Sequence, residues 1–130
     1  MRVLTIKQPW ARLIVIGEKL VENRGWATSY RGPLVIHAGK SWDQAGAFYL
    51  REHMGVHVPS KADHVFGALV GMVEQVGCVS KHPSPFAFGP NIHVYEDPRE
   101  FPKPIPAKGS LGFWHVPDEL VRRALRGEWV

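Results

Sequence analysis

The spacing of apolar residues predicts a strand followed by a short helix at the start of the chain. Arg2 to Ile6 is a mostly apolar run of the length and type that favour a strand. Pro9 suits the first position of a helix, and apolar residues follow it at helical spacing up to Gly17. Because glycine commonly ends helices, we expect the chain to leave the helix at Gly17.

The middle of the chain predicts a helix and a long strand. Ser41 to Gln44 has the residue types of a capping box, which indicates a helix that runs to about Met54 and ends at Gly55. Phe66 to Val79 is rich in valine and glycine, and we expect it to form one long, bent strand. Its glycines at positions 67, 71 and 77 permit bulges or barrel closure. Val35 to His37 is typical of a further strand.

The last third predicts two more strands and a terminal helix. The strands are expected at Ile92 to Tyr95 and Leu111 to Val116, and the helix begins after Pro117. Pro98 to Pro106 contains four prolines and is interpreted as an extended crossing loop. Short strands with two or three peripheral helices indicate an α+β fold built on a small, partly open β-barrel. We expect residues 1–130 to form a single domain.

Composition and charge narrow the class of protein. The chain has 130 residues and a formal net charge of +4, and its lone Cys78 excludes an internal disulfide framework. Positions 1 to 40 hold seven Lys and Arg against Glu18 and Glu22, a local charge of +5. Such an asymmetric field favours anionic partners. No apolar run is long enough to cross a membrane and no signal-peptide core is present, so a cytoplasmic location is the expectation.

The segment from Gly17 to Arg24 concentrates chemistry-bearing side chains. It contains two cations, two carboxylates and an amide within eight residues, directly after the predicted helix. Trp10 and Trp26 lie on either side of it in sequence. Cations, carboxylates and flat aromatic rings together suit a planar ligand with an anionic or polar periphery, and a nucleotide has this chemistry.

Several motifs resemble the ASCH domain family, which has the fold of PUA-like β-barrels. They are Ile6 to Ala11, the Gly-x-Lys-x-x-Glu-x-Arg pattern at 17 to 24, and Tyr30 to Lys40 with its Tyr-Arg-Gly-Pro-Leu start. Pro102 to Trp114 is also similar to members of this family. The resemblance covers essentially the whole chain. It implies a small PUA-like domain with a ligand cleft at the barrel mouth.

The first functional hypothesis is binding of single-stranded RNA or of a nucleoside or nucleotide in this basic cleft. Arg24 and Arg31 can each bind a phosphate through two hydrogen bonds or pair with a carboxylate at the barrel mouth. Trp10, Trp26 and Trp42 are candidates for base stacking; helical spacing favours a core position for Trp10, and the sequence does not decide between core and stacking for Trp26. The candidate binding residues are Lys7, Gln8, Trp10, Lys19, Glu22, Arg24, Trp26, Arg31, Lys40 and Lys108.

The alternative hypothesis is a hydrolase. Some small ASCH proteins hydrolyse the amide of N4-acylated cytidine, and others have been proposed to cleave RNA. The resemblance implies Lys19 as base or nucleophile and Glu74, in a central strand, as its proton partner. The family pattern next has a threonine, where this chain has Glu22, which would have to substitute for the hydroxyl. Glu74 itself is compatible with a polar cavity or with an outward, solvated position.

A third hypothesis, a protein-interaction domain, follows from larger ASCH proteins that carry further domains. We expect no metal and no cofactor, since the seven histidines and Cys78 lack the spacing of a metal site. No nucleophile elbow or phosphate-binding glycine loop is present.

Overall fold

Six strands and three helices follow one another along the chain in a computed structural model that describes residues 1–128. The strands are β1 Arg2–Gln8, β2 Val21–Arg24, β3 Gly32–Trp42, β4 Ala68–Val79, β5 Asn91–Pro106 and β6 Phe113–His115. The helices are α1 Trp10–Val15, α2 Gln44–His53 and α3 Asp118–Leu125, with a short 3₁₀ turn at Lys61–Asp63. None of these helices is both long enough and apolar enough to span a membrane.

The strands form one mixed sheet in the order β2-β5-β4-β3-β1-β6. Strands β1 and β3 are parallel, and the other neighbours are antiparallel. The sheet curves so that its two ends approach one another through side chains. The Arg24 guanidinium at the end of β2 donates to the Thr5 carbonyl of β1 at 2.7 Å, and the Trp26 ring lies edge-on to Phe113 of β6 at 5.0 Å. The predicted α+β fold, a small and partly open curved sheet with peripheral helices, is therefore confirmed.

The curved sheet separates two apolar cores. The inner core lies between the sheet and α1, and its members include Ile6, Ile36, Val73 and Tyr95. The outer core lies under α3, where Val121 packs with other buried residues of the sheet. A smaller cluster fixes α2 through Ala47 and Leu50. Because apolar residues are buried on both faces, the central strands lack a simple alternation of apolar and polar positions.

The long strand predicted at Phe66 to Val79 is confirmed, with a start at Ala68. Register shifts fall between Leu69 and Gly71 and between Gln75 and Gly77, where bulges were expected. A β-carbon on Gly71 would lie 2.4 Å from the carbonyl oxygen of Arg99, so only glycine lets the two strands approach here. These bulges bend β4 and curve the sheet around the inner core.

The prediction of a crossing loop at Pro98 to Pro106 is wrong, because this segment is the second half of β5. It pairs with β4 through the matches Leu69↔Ile105 and Ala68↔Pro106. Strand β2 covers only Asn91 to Val94 of β5, so the other side of the proline-rich half is an edge. Proline is tolerated at an edge because no ladder hydrogen bond is required of its missing N–H there.

Three smaller expectations are also corrected. Asp43, and not Ser41, caps α2, since its carboxylate accepts a hydrogen bond from Gly46 N–H at 2.8 Å. Strand β6 begins at Phe113, so Leu111 lies in a loop. Strand β2 was not predicted as a separate element, because its charged residues do not give a strand-like apolar pattern.

Candidate functional site

A cleft of about 1000 Å³ opens where the two ends of the sheet approach each other. Its floor comes from Lys19 and strand β2, and its walls come from β1, the end of β3 and the start of α2. Residues 86 to 88 and 110 to 112 complete its rim. We call residues 107–112, which connect β5 to β6, the rim loop. The cleft brings together segments from five separate parts of the chain.

Lys19 reaches the floor of the cleft because α1 ends sharply in front of it. Gly17 has a φ of +85°, a conformation that strains any residue with a β-carbon. The next two backbone N–H groups, those of Glu18 and Lys19, both donate to the carbonyl of Leu13 at 2.9 and 3.0 Å. This is a helix C-cap that turns the chain back towards the sheet. The predicted stop at Gly17 is confirmed, and it directs the Lys19 side chain inward.

Three charged side chains form the floor, and we call Lys19, Glu22 and Arg24 the floor triad. Lys19 Nζ donates to Glu22 Oε1 at 2.9 Å and to the carbonyl of Val21 at 2.6 Å. Arg24 Nε lies 3.5 Å from Glu22 Oε2. Lys19 is only 2 % exposed and Glu22 only 8 %. Two cations share one carboxylate here, so the triad carries an excess positive charge in a largely water-excluded place.

Two tryptophans form aromatic walls above the floor triad. Trp10 is half-buried, its indole Nε1 donates to the Asp43 carboxylate at 2.9 Å, and its ring centroid is 5.4 Å from Lys19 Nζ. Trp26 is held edge-on to His93 with ring centroids 4.8 Å apart. His93 Nε2 faces the carbonyl of Trp26 at 3.1 Å and therefore donates to it. Both rings have fixed orientations before any ligand enters.

Burial and hydrogen bonding fix the histidines that support this region. The pKa of His93 is lowered from its ordinary 6.5 mainly by burial, and the Arg24 charge lowers it further. Burial likewise lowers the pKa of His37 below 6.5, although its hydrogen bond to the Ala107 carbonyl opposes the shift. Both imidazoles are therefore held neutral near pH 7, and each acts as a hydrogen-bond donor to a backbone carbonyl.

His37 attaches the rim loop to the sheet through a chain of hydrogen bonds. Its Nε2 donates to the carbonyl of Ala107 at 2.7 Å, the first residue of the rim loop. Its Nδ1 then accepts from the Thr5 hydroxyl at 3.1 Å. Thr5 Oγ1 in turn accepts from Trp114 Nε1 at 3.1 Å, just beyond the rim loop. Both ends of the loop are thus tied to neighbouring strands β1 and β3.

Seven of the predicted binding residues line the cleft. They are Lys7, Trp10, Lys19, Glu22, Arg24, Trp26 and Lys40. Lys7 and Lys40 are exposed at its rim. The expected convergence of the 17 to 24 segment with the flanking tryptophans is therefore present in the structure. Trp10 both packs against the core and faces the cleft, so its core position and its exposure to a ligand are compatible.

Gln8, Arg31 and Lys108 do not line the cleft. Gln8 is 2 % exposed, and its amide is used internally: it donates to the Val65 carbonyl and accepts from Arg12 N–H. Arg31 is exposed and donates to nearby backbone carbonyls, one of them its neighbour's. Lys108 is exposed on the rim loop, outside the cleft itself. The pairing of β1 with β3 shifts register between Ile6 and Gln8, so the simple alternation of a strand does not give the orientation of Gln8.

Glu74 also lies away from the cleft, which corrects its expected pairing with Lys19. Its cross-strand neighbours are Pro33 and Glu96, both exposed residues. The neighbouring Gln75 points inward instead, opposite Tyr95 of the inner core. The ion-pair partner of Lys19 is Glu22, because Lys19 precedes β2 in a turn and is not subject to strand alternation.

Two buried polar groups lie inside the barrel on the same side of the sheet as Glu22. Neither the Gln75 amide nor the Tyr95 hydroxyl has a hydrogen-bond partner among residues 1–128. Burial, reinforced by the nearby Glu22 charge, raises the pKa of Tyr95 well above 10.0. Tyr95 is therefore neutral at physiological pH, and it acts as a polar but uncharged member of the inner core.

Several cleft residues were missed in the sequence. Asp43 was recognised only as part of a capping signal, although it also orients Trp10. Tyr49, Phe88 and Leu111 line the cleft while remaining exposed. The sequence did contain a signal that Leu111 lies in a loop. Gly109 and Gly112 flank it, and glycines on both sides argue against a strand there. Within residues 1–128 no cluster of three His, Cys, Asp or Glu side chains is arranged to hold a metal.

Comparisons with known proteins place this chain in a family. The ASCH domain model matches residues 4–101. Activating signal cointegrator 1 of Homo sapiens is 30 % identical over 138 residues, and the Mus musculus protein is 33 % identical over 141 residues. Each alignment covers 95 % of this chain but only 24 % of the relative, so the chain spans about a quarter of their length.

Solved structures support the fold assignment. The crystal structure of ASCH from Zymomonas mobilis superposes with a TM-score of 0.58, covering 96 % of this chain and 93 % of that chain. The structure of a point mutant of the same Zymomonas mobilis protein superposes with a TM-score of 0.55. Sequence identities of 12 % and 11 % limit this likeness to the fold. With the family model matching three quarters of its length, the chain belongs to the ASCH domain family.

Proposed function

We propose that the cleft binds single-stranded RNA and holds one nucleotide between Trp10 and Trp26. The observation that carries this proposal is the floor triad, which holds an excess positive charge at the base of an aromatic-walled cleft. A base can stack on an indole ring. Such stacking accepts any of the four bases and contributes about 1–3 kcal/mol per base. ASCH domains are PUA-like RNA-binding domains, and membership of the family supports the same ligand class.

The floor triad offers both kinds of hydrogen bond to the edge of a base. Lys19 has three ammonium protons, and two of them are directed to Val21 and Glu22. Glu22 retains acceptor capacity on both carboxylate oxygens. A donor next to an acceptor matches a nucleobase, which also presents donors and acceptors side by side on its Watson–Crick edge. Outside the floor, Lys7 and Lys40 are placed to neutralise phosphates.

A charge-matched pair of double variants tests this proposal without disturbing the buried floor. Lys7→Ala with Lys40→Ala removes two exposed cations from the cleft rim, whereas Arg122→Ala with Arg126→Ala removes two exposed cations from α3. Binding of a fluorescein-labelled single-stranded RNA is measured by anisotropy from 50 to 300 mM salt. The rim variant should bind more weakly, and its salt slope should fall by about 1.4, since each single-strand phosphate contact contributes about 0.7.

The α3 variant should bind RNA as the wild type does. Equal weakening by both double variants would mean that RNA responds only to net charge, and the cleft would then not be the binding site. Wild-type protein that binds no RNA at 50 mM salt would remove the proposal entirely.

One contact favours the alternative function, hydrolysis of an N4-acylated cytidine. Lys19 and Glu22 are hydrogen-bonded at 2.9 Å in the cleft, as an acid–base pair is. Glu22 accepts hydrogen bonds and cannot donate one to an oxyanion when ionised, so Lys19 would supply that donor. Turnover of N4-acetylcytidine is measured for wild type and Lys19→Met. Hydrolysis that disappears in Lys19→Met supports this function, and no hydrolysis by the wild type rejects it.

A further inference from the structure

The rim of the cleft is apolar although its floor is charged. Among residues 1–128, three of the large apolar side chains that remain exposed line the cleft: Tyr49 at 44 %, Phe88 at 58 % and Leu111 at 96 %. Leu111 is the most exposed of them and lies near the tip of the rim loop. Single exposed apolar residues are common on protein surfaces, but three around one cleft form a patch of the kind that contacts a ligand or partner.

The rim loop holds Leu111 outward from a fixed base. In addition to the hydrogen bond from His37, Ala107 N–H donates to the carbonyl of Gly67 at 3.0 Å. A β-carbon on Gly109 would lie 2.8 Å from His37 Cε1, so the backbone is packed directly on the imidazole. Gly112 has a φ of +62°, which allows the tight return into β6. The exposed position of Leu111 is therefore fixed by the backbone conformation and hydrogen bonds of this turn.

Three exposed cations lie on the cleft rim or on the rim loop that carries this leucine. Lys7 and Lys40 are exposed at the rim, and Lys108 is exposed three residues before Leu111 on the rim loop. None of these three lysines makes an ion pair with another group in residues 1–128. An apolar side chain and unpaired cations on one cleft rim are complementary to a nucleic-acid helix, which presents both stacked bases and phosphates.

A base must be unstacked before it can reach the floor of the cleft. Lys19 and Glu22 are almost completely buried, so a base can meet them only after it has left its stack. Proteins that extrude a base from a duplex commonly insert an apolar side chain into the stack. Leu111 lies at the cleft mouth, where a side chain could fill the space that an extruded base leaves.

We propose that Leu111 is a wedge that enters paired RNA and stabilises one nucleotide extruded into the cleft. This inference rests on the proposed function, since the cleft must accept a nucleotide. It adds that the ligand includes base-paired RNA, with a mismatched or bulged position as the preferred point of entry, because an unpaired base is easiest to extrude.

A fluorescent base tests the wedge directly. An RNA duplex carries 2-aminopurine at a mismatch, where its emission is quenched by stacking and rises on extrusion. Wild-type protein should raise the emission on binding. Leu111→Ala should abolish most of this rise and weaken duplex binding by about tenfold, because the vacated stack is no longer filled. It should weaken binding of single-stranded RNA much less than binding of the duplex, because a single strand has no vacated stack for the leucine to fill. Phe48→Ala is the matched control, since Phe48 is 58 % exposed and lies outside the cleft.

Each outcome separates this inference from the proposed function. A rise that Leu111→Ala loses and Phe48→Ala retains supports the wedge. Single-strand binding without any emission rise on the duplex overturns the wedge and leaves the proposed function intact. An equal rise with Leu111→Ala, or equal loss of single-strand and duplex binding in that variant, also overturns the wedge. Absence of binding to both RNAs by the wild type overturns the two proposals together.

Discussion

The same charge arrangement occurs twice in this protein, once in the cleft and once on the surface of α3. In the floor triad, Glu22 lies between Lys19 at 2.9 Å and Arg24 at 3.5 Å. On α3, Glu119 lies between Arg122 at 3.0 Å and Arg126 at 3.6 Å, and we call these three residues the surface triad. The Lys19 and Glu22 side chains are 3 % and 11 % exposed, whereas those of Arg122 and Glu119 are both 60 % exposed.

The two triads have similar charge arrangements and differ chiefly in burial. Water and salt screen the surface triad, so its field falls off within a short distance. The floor triad lies beneath aromatic walls, where its electrostatic field is screened less and acts on a ligand that enters the cleft. Its charges are costly to bury, so we expect the carboxylate of Glu22 to be needed for the stability of the fold.

The largest expected difference between the triads is in stability. Glu22→Leu leaves Lys19 buried without a counter-charge and should lower the free energy of unfolding by about 3 kcal/mol. Glu119→Leu leaves Arg122 and Arg126 in water and should not shift the unfolding midpoint measurably. Urea denaturation followed by far-UV circular dichroism compares the two variants. Equal midpoints would show that the floor triad is not buried as described.

A second substitution should rescue part of the loss in the cleft. Lys19→Met combined with Glu22→Leu replaces the ion pair by two apolar side chains of similar length. The double variant should be more stable than Glu22→Leu alone, with a coupling energy of about 2 kcal/mol between the two positions. The same urea measurement gives the coupling from a double-mutant cycle. Simple additivity would mean that the two side chains do not interact.

Salt should distinguish the triads by a smaller effect. Raising NaCl from 0.1 to 1 M shortens the Debye length from about 10 Å to about 3 Å. The effect of Glu22→Leu on stability should persist at 1 M, because water and ions are excluded from Lys19. Any effect of Glu119→Leu should disappear. A floor effect that vanishes at 1 M salt would contradict the description of a water-excluded floor.

Acid should separate the two regions by the pH at which each loses stability. His37 and His93 have folded pKa values below 6.5, mainly through burial, so the unfolded chain takes up their protons first. Their contribution is present above pH 6.5 and is lost as the pH falls below it. Glu119 has a pKa lowered from 4.5, chiefly by its hydrogen bond from Arg122, so the surface triad loses its contribution only below pH 4.5.

Urea denaturation at intervals between pH 8 and pH 4 checks this order. The wild type should lose stability from pH 6.5 downward, and His37→Gln should lose less over that range because it removes one of the two imidazoles whose pKa burial lowers. Wild-type stability that stays constant between pH 7 and pH 5 would contradict the buried, neutral state of these imidazoles.

The convergence of the floor triad could be predicted from the sequence because the governing signals are local. Gly17 ends α1, and the residues that follow it must return across the end of the sheet. Trp10 and Trp26 lie within ten residues of this turn. Residues so close along the chain also lie near the floor triad in the folded protein. The general fold could be predicted for a similar reason, since turns and bulges at glycine and proline divide the chain into short elements.

The position of Glu74 could not be predicted, because the sequence around it does not distinguish the two faces of β4. Residues 68 to 73 are apolar apart from a glycine and are buried on both sides of the sheet. The register of β3 shifts between Ile36 and His37, which changes the phase of alternation in β4 opposite them. Glu74 and Gln75 are both polar, so only the three-dimensional register shows which one faces the inner core.

Entry of RNA into the cleft above the floor triad can be followed by the tryptophan indole signals in a ¹⁵N-labelled protein. A short single-stranded RNA is titrated while the Nε1–H resonances are assigned by single Trp→Phe variants. The signals of Trp10 and Trp26 should shift together, while that of Trp42, which lies outside the cleft and donates to Gln44, should stay in place. Shifts of Trp42 without Trp10 and Trp26 would contradict binding in the cleft.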